Sequence, residues 1–130
     1  MAKWFTNKEF TRSATAERLG INNEVPEELR GNADYTLQRL DEIREAYGHP
    51  IVITSGYRCP ALNKAVGGKP TSQHLKGQAA DLKWSSYLWE FLLNYCSFDQ
   101  LIEETSRRTK WIHISFNKES ERNQVIHLRV

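Results

Sequence analysis

The segment from Ser72 to Asp81 constrains this chain more than any other stretch. It reads Ser-Gln-His-Leu-Lys-Gly-Gln-Ala-Ala-Asp, which places an imidazole and a carboxylate seven positions apart around a glycine and two alanines. If residues 79–84 form a strand, Asp81 lies on the face opposite to Leu82, because successive side chains of a strand alternate. The carboxylate is therefore expected to point away from the hydrophobic core.

A second strand with the same alternation is predicted far downstream, at residues 111–116. Its isoleucine and phenylalanine side chains share one face, and His113 lies on the other face with Trp111 and Ser115. Together with His74 and Asp81, His113 completes a set of three metal-capable side chains. Three protein ligands leave a position open for water, which distinguishes a catalytic zinc site from a closed structural one. Taken singly, each of these residues is more often ordinary polar structure than a ligand.

Four motifs carry a resemblance to a known family. They are Ser55-Gly56-Tyr57-Arg58, Leu62-Asn63, Ser72-x-His74-x-x-Gly77-x-Ala79-Ala80-Asp81 and Trp111-Ile112-His113-Ile114-Ser115-Phe116. In this order they resemble the zinc D-Ala-D-Ala carboxypeptidase family of peptidoglycan peptidases. That family shares its fold with vancomycin-resistance dipeptidases, phage L-alanyl-D-glutamate endopeptidases and the Hedgehog signalling domain. The opening Phe5-Thr6 and the run Asp99-Gln100-Leu101-Ile102 also resemble its short, single-domain members.

The resemblance implies a fold, a cofactor and an activity. The fold would be α+β and Hedgehog/DD-peptidase-like, with a small antiparallel sheet that carries the zinc site and packs against N-terminal and central helices. Residues 1–130 would form a single zinc peptidase domain with one zinc ion bound by His74, Asp81 and His113. The activity would be hydrolysis of peptide bonds in peptidoglycan stem peptides, by a D,D-carboxypeptidase or an endopeptidase, in cell-wall lysis or remodelling. The alternative is a non-catalytic, zinc-stabilised binding module of the same fold.

Arg58 is the candidate substrate-binding residue. It follows a predicted core strand at residues 51–53, and its planar fork of donors matches a carboxylate in bidentate fashion. In the related enzymes the arginine of this motif binds the substrate, so the resemblance implies a catalytic and substrate-binding role for Arg58. A surface or structural salt bridge is the alternative. Ser72 and Trp111, which belong to the two ligand motifs, are expected to contact the substrate as well.

The general base does not carry over directly from the resemblance. Several relatives have an acid three residues before the last histidine, where this chain has Lys110, and some carboxypeptidases have a histidine where it has Trp111. The predicted strand at residues 99–104 presents Glu103 and Glu104 on opposite faces, and alternation alone does not choose between them. Short family members resemble the chain in a run Asp-Gln-Leu-Ile-x-Glu, which favours Glu104 as the base. The alternative is that Glu103 and Glu104 are both solvated charges at the end of the strand.

Composition limits the partners and the location. The net charge is +2 and the basic residues are scattered, so no nucleic-acid partner is expected. No apolar run is long enough to span a bilayer, so membrane insertion is not expected either. The protein is expected to be a monomer. The N-terminus lacks a basic segment followed by an apolar one. The protein is therefore expected to be cytoplasmic at synthesis and to act on the cell wall, and release by a holin would fit a phage product.

Local signals predict the helices and the last strand. Thr6 and Glu9 form a capping box, and Gly20 ends a helix at residues 14–19. Apolar residues at helical spacing predict a longer helix at residues 35–47, which Gly48 ends. Residues 124–130 alternate as a closing strand.

Overall fold

The computed structural model describes residues 4–130, which form five α-helices around one five-stranded sheet. The helices are α1 (Asn7–Thr11), α2 (Ala14–Leu19), α3 (Arg30–Tyr47), α4 (Pro60–Ala65) and α5 (Ser86–Tyr95), with short 3₁₀ helices at Glu27–Leu29 and Gln73–Lys76. The strands are β1 (Ile53–Ser55), β2 (Ala79–Lys83), β3 (Gln100–Thr105), β4 (Lys110–Ser115) and β5 (Gln124–Arg129). This arrangement confirms the expected α+β class. None of the helices within residues 4–130 combines the length and apolarity needed to cross a membrane.

The predicted caps define the first two helices. Thr6 Oγ1 accepts a hydrogen bond from the Glu9 backbone N–H at 3.2 Å, and Glu9 Oε1 accepts one from the Thr6 N–H at 3.1 Å. This reciprocal pair is the capping box that the sequence predicts. Gly20 ends α2 in the left-handed conformation at φ 68°, which favours glycine. The caps thereby set the position of Phe10, which α1 buries completely.

Helix α3 begins five residues earlier than the apolar periodicity predicts. The 3₁₀ helix Glu27–Leu29 runs directly into it, so the helix starts at Arg30 rather than near Tyr35. Residues 30–34 contain one apolar side chain, Ala33, which is fully buried. A single small residue gives no detectable helical periodicity, which is why the prediction placed the start too late.

Helix α3 also anchors the loop that carries His74. Thr36 Oγ1 donates a hydrogen bond to the carbonyl oxygen of Gly77 at 2.7 Å, and Asn32 Nδ2 donates one to the carbonyl oxygen of Lys76 at 3.0 Å. Gly77 has a φ of 74°, so the chain turns there in a conformation that other residues rarely adopt. The turn into β2 is therefore held by one buried and one exposed hydrogen bond to a long helix.

The strands have the order β1-β2-β4-β3-β5, and the pairing departs from the predicted antiparallel sheet at one edge. The pairs β1/β2, β2/β4 and β3/β4 are antiparallel, whereas β3 and β5 are parallel. Strand β4 ends beside the start of β3, since Ser115 pairs with Gln100. The short connection 117–123 brings the chain back to that same end, where Gln124 also pairs with Gln100. Strand β5 can then only run in the direction of β3.

Strand β1 is displaced from its predicted position. It covers Ile53–Ser55, not residues 51–53, because its pairing to β2 begins at Ile53 opposite Leu82. Ile51 and Ile53 are both buried, but Val52 between them is half exposed. The strand therefore runs into the Ser-Gly-Tyr-Arg motif and delivers it directly to the sheet edge.

The sheet separates a core face from a polar face, as the alternation predicts. Leu82, Ile112 and Ile114 are completely buried on the core face. Asp81 on β2 pairs directly with His113 on β4, so both side chains point to the opposite face. The two strand-borne members of the predicted metal set are thus neighbours.

Asp99 ties the C-terminal connection to the core, and its replacement should destabilise the fold. Its side chain is buried and accepts hydrogen bonds from Gln73 Nε2 at 2.8 Å and from Arg122 Nε and Nη2, each at 2.8 Å. The hydrogen bonds from Arg122, assisted by Gln73, hold the pKa of Asp99 at about 2, although burial opposes ionisation. This lowered pKa stabilises the fold above the ordinary carboxyl range, and the contribution disappears as pH falls toward 2.

Asp99→Asn should lower the free energy of unfolding at pH 7 by about 1–3 kcal/mol, because charge-assisted hydrogen bonds are lost from a buried group. Urea unfolding at pH 7 and pH 3 measures the effect, which should be smaller at the lower pH. Asp34→Asn is the control, since that carboxylate is exposed in a helical ion pair with Arg30. Equal stability of Asp99→Asn and wild type at pH 7 would contradict the assignment.

Candidate metal centre

The structure brings His74, Asp81 and His113 together. His74 Nε2 and His113 Nδ1 both lie 3.2 Å from Asp81 Oδ1. One ligand atom from each residue lies within 4.8 Å of the others, which is close enough for one metal ion to bind all three. Both histidines are buried, and their rings meet edge to face with centroids 5.1 Å apart.

The protonation state of His74 favours a cation at this position. Its Nδ1 lies 2.7 Å from the carbonyl oxygen of Gly56, which can only accept, so Nδ1 carries the proton. In the neutral ring Nε2 then carries a lone pair, which faces the carboxylate oxygen Asp81 Oδ1. Two acceptors so close together require a positive charge between them, which a metal ion or a second proton supplies. The donor set of two imidazoles and one carboxylate suits zinc.

Asp81 is held in the ionised form that a metal ligand needs. Burial opposes its ionisation, but the charge of His74 when its second nitrogen is also protonated, and the hydrogen bonds that both histidines donate, outweigh that cost. The pKa of Asp81 therefore lies far below the usual carboxyl range. The carboxylate is negative at any pH at which the protein is expected to work.

Gly56 is a site residue that the sequence reasoning did not identify. Its carbonyl oxygen orients the His74 ring, a role that outer contacts often play for histidine ligands. A Cβ atom at this position would lie 2.2 Å from the carbonyl oxygen of Phe10, so only glycine fits. The backbone N–H of Tyr57 also bonds that oxygen, at 2.9 Å. The signal in the sequence is a glycine directly after a core strand. The sequence does not show that the carbonyl oxygen of this glycine accepts a hydrogen bond from His74.

Arg58 lies in a groove that opens beside the metal set. The groove has a volume of about 380 Å³, and Arg58, Asp81, Thr54 and Ser55 are among the residues that line it. Burial lowers the pKa of Arg58, while the charges of Asp81 and Glu104 act in the opposite direction. The Arg58 Nε atom is buried without a hydrogen-bond partner among the described residues. Among residues 4–130 no carboxylate forms an ion pair with this guanidinium, which lines the groove.

A larger cavity lies elsewhere and contains none of the predicted site residues. Its volume is about 700 Å³, and its lining comes from the end of α3 and from α5. Tyr87 and Tyr95 are strongly exposed there. Arg58 and Asp81 line the smaller groove instead.

The register of β3 and β4 separates the two candidate bases. Ile102 pairs with His113 and Glu104 pairs with Trp111, so Glu104 lies on the same face as the metal set. Its Oε2 atom is 3.9 Å from His113 Nδ1 and accepts a hydrogen bond from Trp111 Nε1 at 3.0 Å. Glu103 lies on the other face. This geometry favours Glu104.

Glu103 has partners of its own away from the metal set. One of its carboxylate oxygens lies 2.8 Å from Lys110 Nζ, and the other contacts the imidazole of His127. These contacts, led by the hydrogen bond from Lys110, lower the pKa of Glu103. Its carboxylate is therefore occupied at the opposite face of the sheet.

The remaining predicted residues have structural contacts of their own. Ser72 Oγ accepts a hydrogen bond from the His74 N–H at 3.2 Å and so caps the 3₁₀ helix that carries this histidine. Trp111 is partly buried and holds Glu104 through its indole N–H. Substrate contact by either residue stays a prediction.

Comparison with known proteins shows the family of this chain. The family model described as Peptidase M15 matches residues 3–115, and β5 lies beyond the matched segment. The zinc D-Ala-D-Ala carboxypeptidase of Streptomyces albus G is 43% identical to this chain over 54 residues. That match covers 41% of this chain, which spans about a fifth (21%) of the length of the relative. From the extent of the family match, the chain belongs to the peptidase M15 family.

Proposed function

We propose that this chain is a single zinc peptidase domain that hydrolyses peptide bonds in the stem peptides of peptidoglycan. The observation that carries the proposal is the convergence of His74, Asp81 and His113 beside a groove that contains Arg58. Membership of the peptidase M15 family and the likeness to a zinc D-Ala-D-Ala carboxypeptidase support it. A carboxypeptidase removes the terminal residue and an endopeptidase cleaves within the peptide, and both reactions use the same groups.

The metal ligands and the base have separate roles in this proposal. His74, Asp81 and His113 would hold a zinc ion, which would supply a Lewis acid for the peptide carbonyl and for the attacking water. Glu104 accepts the proton of the attacking water at Oε2 and returns it to the nitrogen of the leaving amine. Trp111 orients this carboxylate through the hydrogen bond at 3.0 Å. Arg58 binds a substrate carboxylate and so places the scissile bond next to Glu104.

An assay on purified murein sacculi tests the function. Wild-type protein should release free amino groups or D-alanine, the activity should disappear with a zinc chelator, and added zinc should restore it. Mass spectrometry of the products identifies the bond that is cut. A protein that binds zinc and sacculi but releases no product in any condition would instead be a binding module.

Arg58→Lys should weaken turnover strongly while it leaves the fold and the metal in place. Lysine keeps the positive charge but cannot form the two parallel hydrogen bonds of a guanidinium with a carboxylate. We expect kcat/KM to fall by about 10- to 100-fold, as for the loss of one charge-assisted hydrogen bond. Zinc content and thermal midpoint should stay close to wild type.

The matched control for this substitution is Arg107→Lys. Arg107 is exposed in the turn between β3 and β4, outside the groove. It should have wild-type kinetics. Unfolding of Arg58→Lys would show that Arg58 is a structural residue and would reject its role in substrate binding.

A further inference from the structure

The groove beside the metal set contains a second guanidinium. Arg12, at the end of α1, lines it together with Arg58. Among the described residues, Asp81 is the one carboxylate that lines the groove, and both histidines already contact it. The other lining residues are hydroxyl-bearing or apolar. The groove is therefore lined by two guanidiniums and one carboxylate.

Neither guanidinium is paired with a carboxylate in the described part of the chain. Arg12 makes no side-chain hydrogen bond or ion pair with residues 4–130, and its backbone N–H alone bonds, to the carbonyl oxygen of Lys8. Arg58 has a buried Nε atom without a partner in the same part of the chain. Other arginines of this protein, such as Arg39 and Arg122, have carboxylate partners. Two guanidiniums that line one groove can both donate hydrogen bonds to an anion bound there.

The size of the groove limits which anions can bind to its two guanidiniums. A volume of about 380 Å³ holds a short peptide segment but not a folded partner. A small inorganic anion could engage one guanidinium, whereas a peptide with two carboxylates engages both. Arginine suits this task because its fork binds a carboxylate through two parallel hydrogen bonds.

We propose that Arg12 is a specificity-determining residue, which binds a second carboxylate of the substrate while Arg58 binds the first. The inference rests on the proposed function and narrows it to stem peptides that carry two free carboxylates. Amidation of one carboxylate removes its negative charge and replaces one of its two acceptor oxygens with an NH₂ donor. Such a peptide leaves one guanidinium unpaired in the groove and is therefore a poorer substrate.

Three synthetic stem peptides with a D-Ala-D-Ala terminus test the proposal. The first has both the C-terminal carboxylate and the free carboxylate of its glutamate, the second has the glutamate amidated, and the third has the C-terminus amidated. We expect wild-type protein to prefer the dicarboxylate by about tenfold in kcat/KM over at least one of the amides. Arg12→Gln should lose that preference because it turns over the dicarboxylate about tenfold more slowly. Arg12→Lys should recover part of it.

Arg18→Gln is the control, because Arg18 is exposed on α2 and lies outside the groove. It should keep the wild-type preference. Equal losses of Arg12→Gln on all three peptides, or a wild-type preference in that variant, would overturn the role of Arg12. Failure of the wild-type protein to cleave any of the peptides or sacculi would instead reject the proposed function. The two failures are therefore distinguishable.

Discussion

His113→Ala should remove both the metal and the activity of this protein. Wild-type protein should bind about one zinc ion per chain, because three donor atoms converge within 4.8 Å. Without His113, the site keeps one imidazole and one carboxylate, and Asp81 Oδ1 loses one of its two histidine contacts. Metal analysis by inductively coupled plasma spectrometry should find little zinc, and hydrolysis of sacculi should fall to background.

His127→Ala is the control, because it shows whether the loss of a histidine outside the metal set has the same effect. His127 is exposed on β5 and contacts Glu103 on the opposite face of the sheet. It should retain zinc and activity. A cooperative thermal transition measured with excess chelator should show that His113→Ala still folds, since the comparison with wild type then excludes the metal. Full zinc occupancy in His113→Ala would show that the ligand set is wrong.

Glu104→Gln should produce a protein that binds zinc but barely hydrolyses the substrate. Glutamine has nearly the same shape and can still accept the hydrogen bond from Trp111 Nε1, but it cannot take up a proton. General-base catalysis typically contributes about 10² to 10⁴ in rate, so kcat should fall by about two orders of magnitude or more. KM should change little, because the carboxylate acts on the attacking water.

Glu103→Gln is the matched control for this experiment. It makes the same chemical change one residue away, on the face where Lys110 and His127 contact the carboxylate. We expect it to keep wild-type turnover with a small loss of stability. Full activity of Glu104→Gln together with an inactive Glu103→Gln would mean that the β3 register is wrong. Two active variants would place the base on another residue.

Side-chain alternation predicted the part of the site that depends on strand faces. Asp81 and His113 were expected on polar faces of two strands, and the structure pairs them directly. Alternation also put Glu103 and Glu104 on opposite faces but carried no information about which face has the metal. That choice depends on the register between β3 and β4, where Ile102 opposes His113.

Backbone contacts and chain direction were beyond what the sequence pattern could predict. The acceptor for His74 Nδ1 is the carbonyl oxygen of Gly56, and every residue has a carbonyl group. The alternation of β5 was recognised, yet a period of two has no direction, so the parallel pairing with β3 could not be read from it. Arg12 was missed because its distance in sequence from Arg58 hides a shared groove.

The position of β5 affects how the protein can self-associate. Among the strands of residues 4–130 it lies at one edge of the sheet, and Val125, Leu128 and Val130 expose apolar surface there. Such edges are the usual template for strand addition and aggregation. The groove borders β1 and β2 at the other end of the strand order, so association through β5 would leave the groove accessible. Charged substitutions on β5 should therefore reduce association through this edge without touching the residues that line the groove.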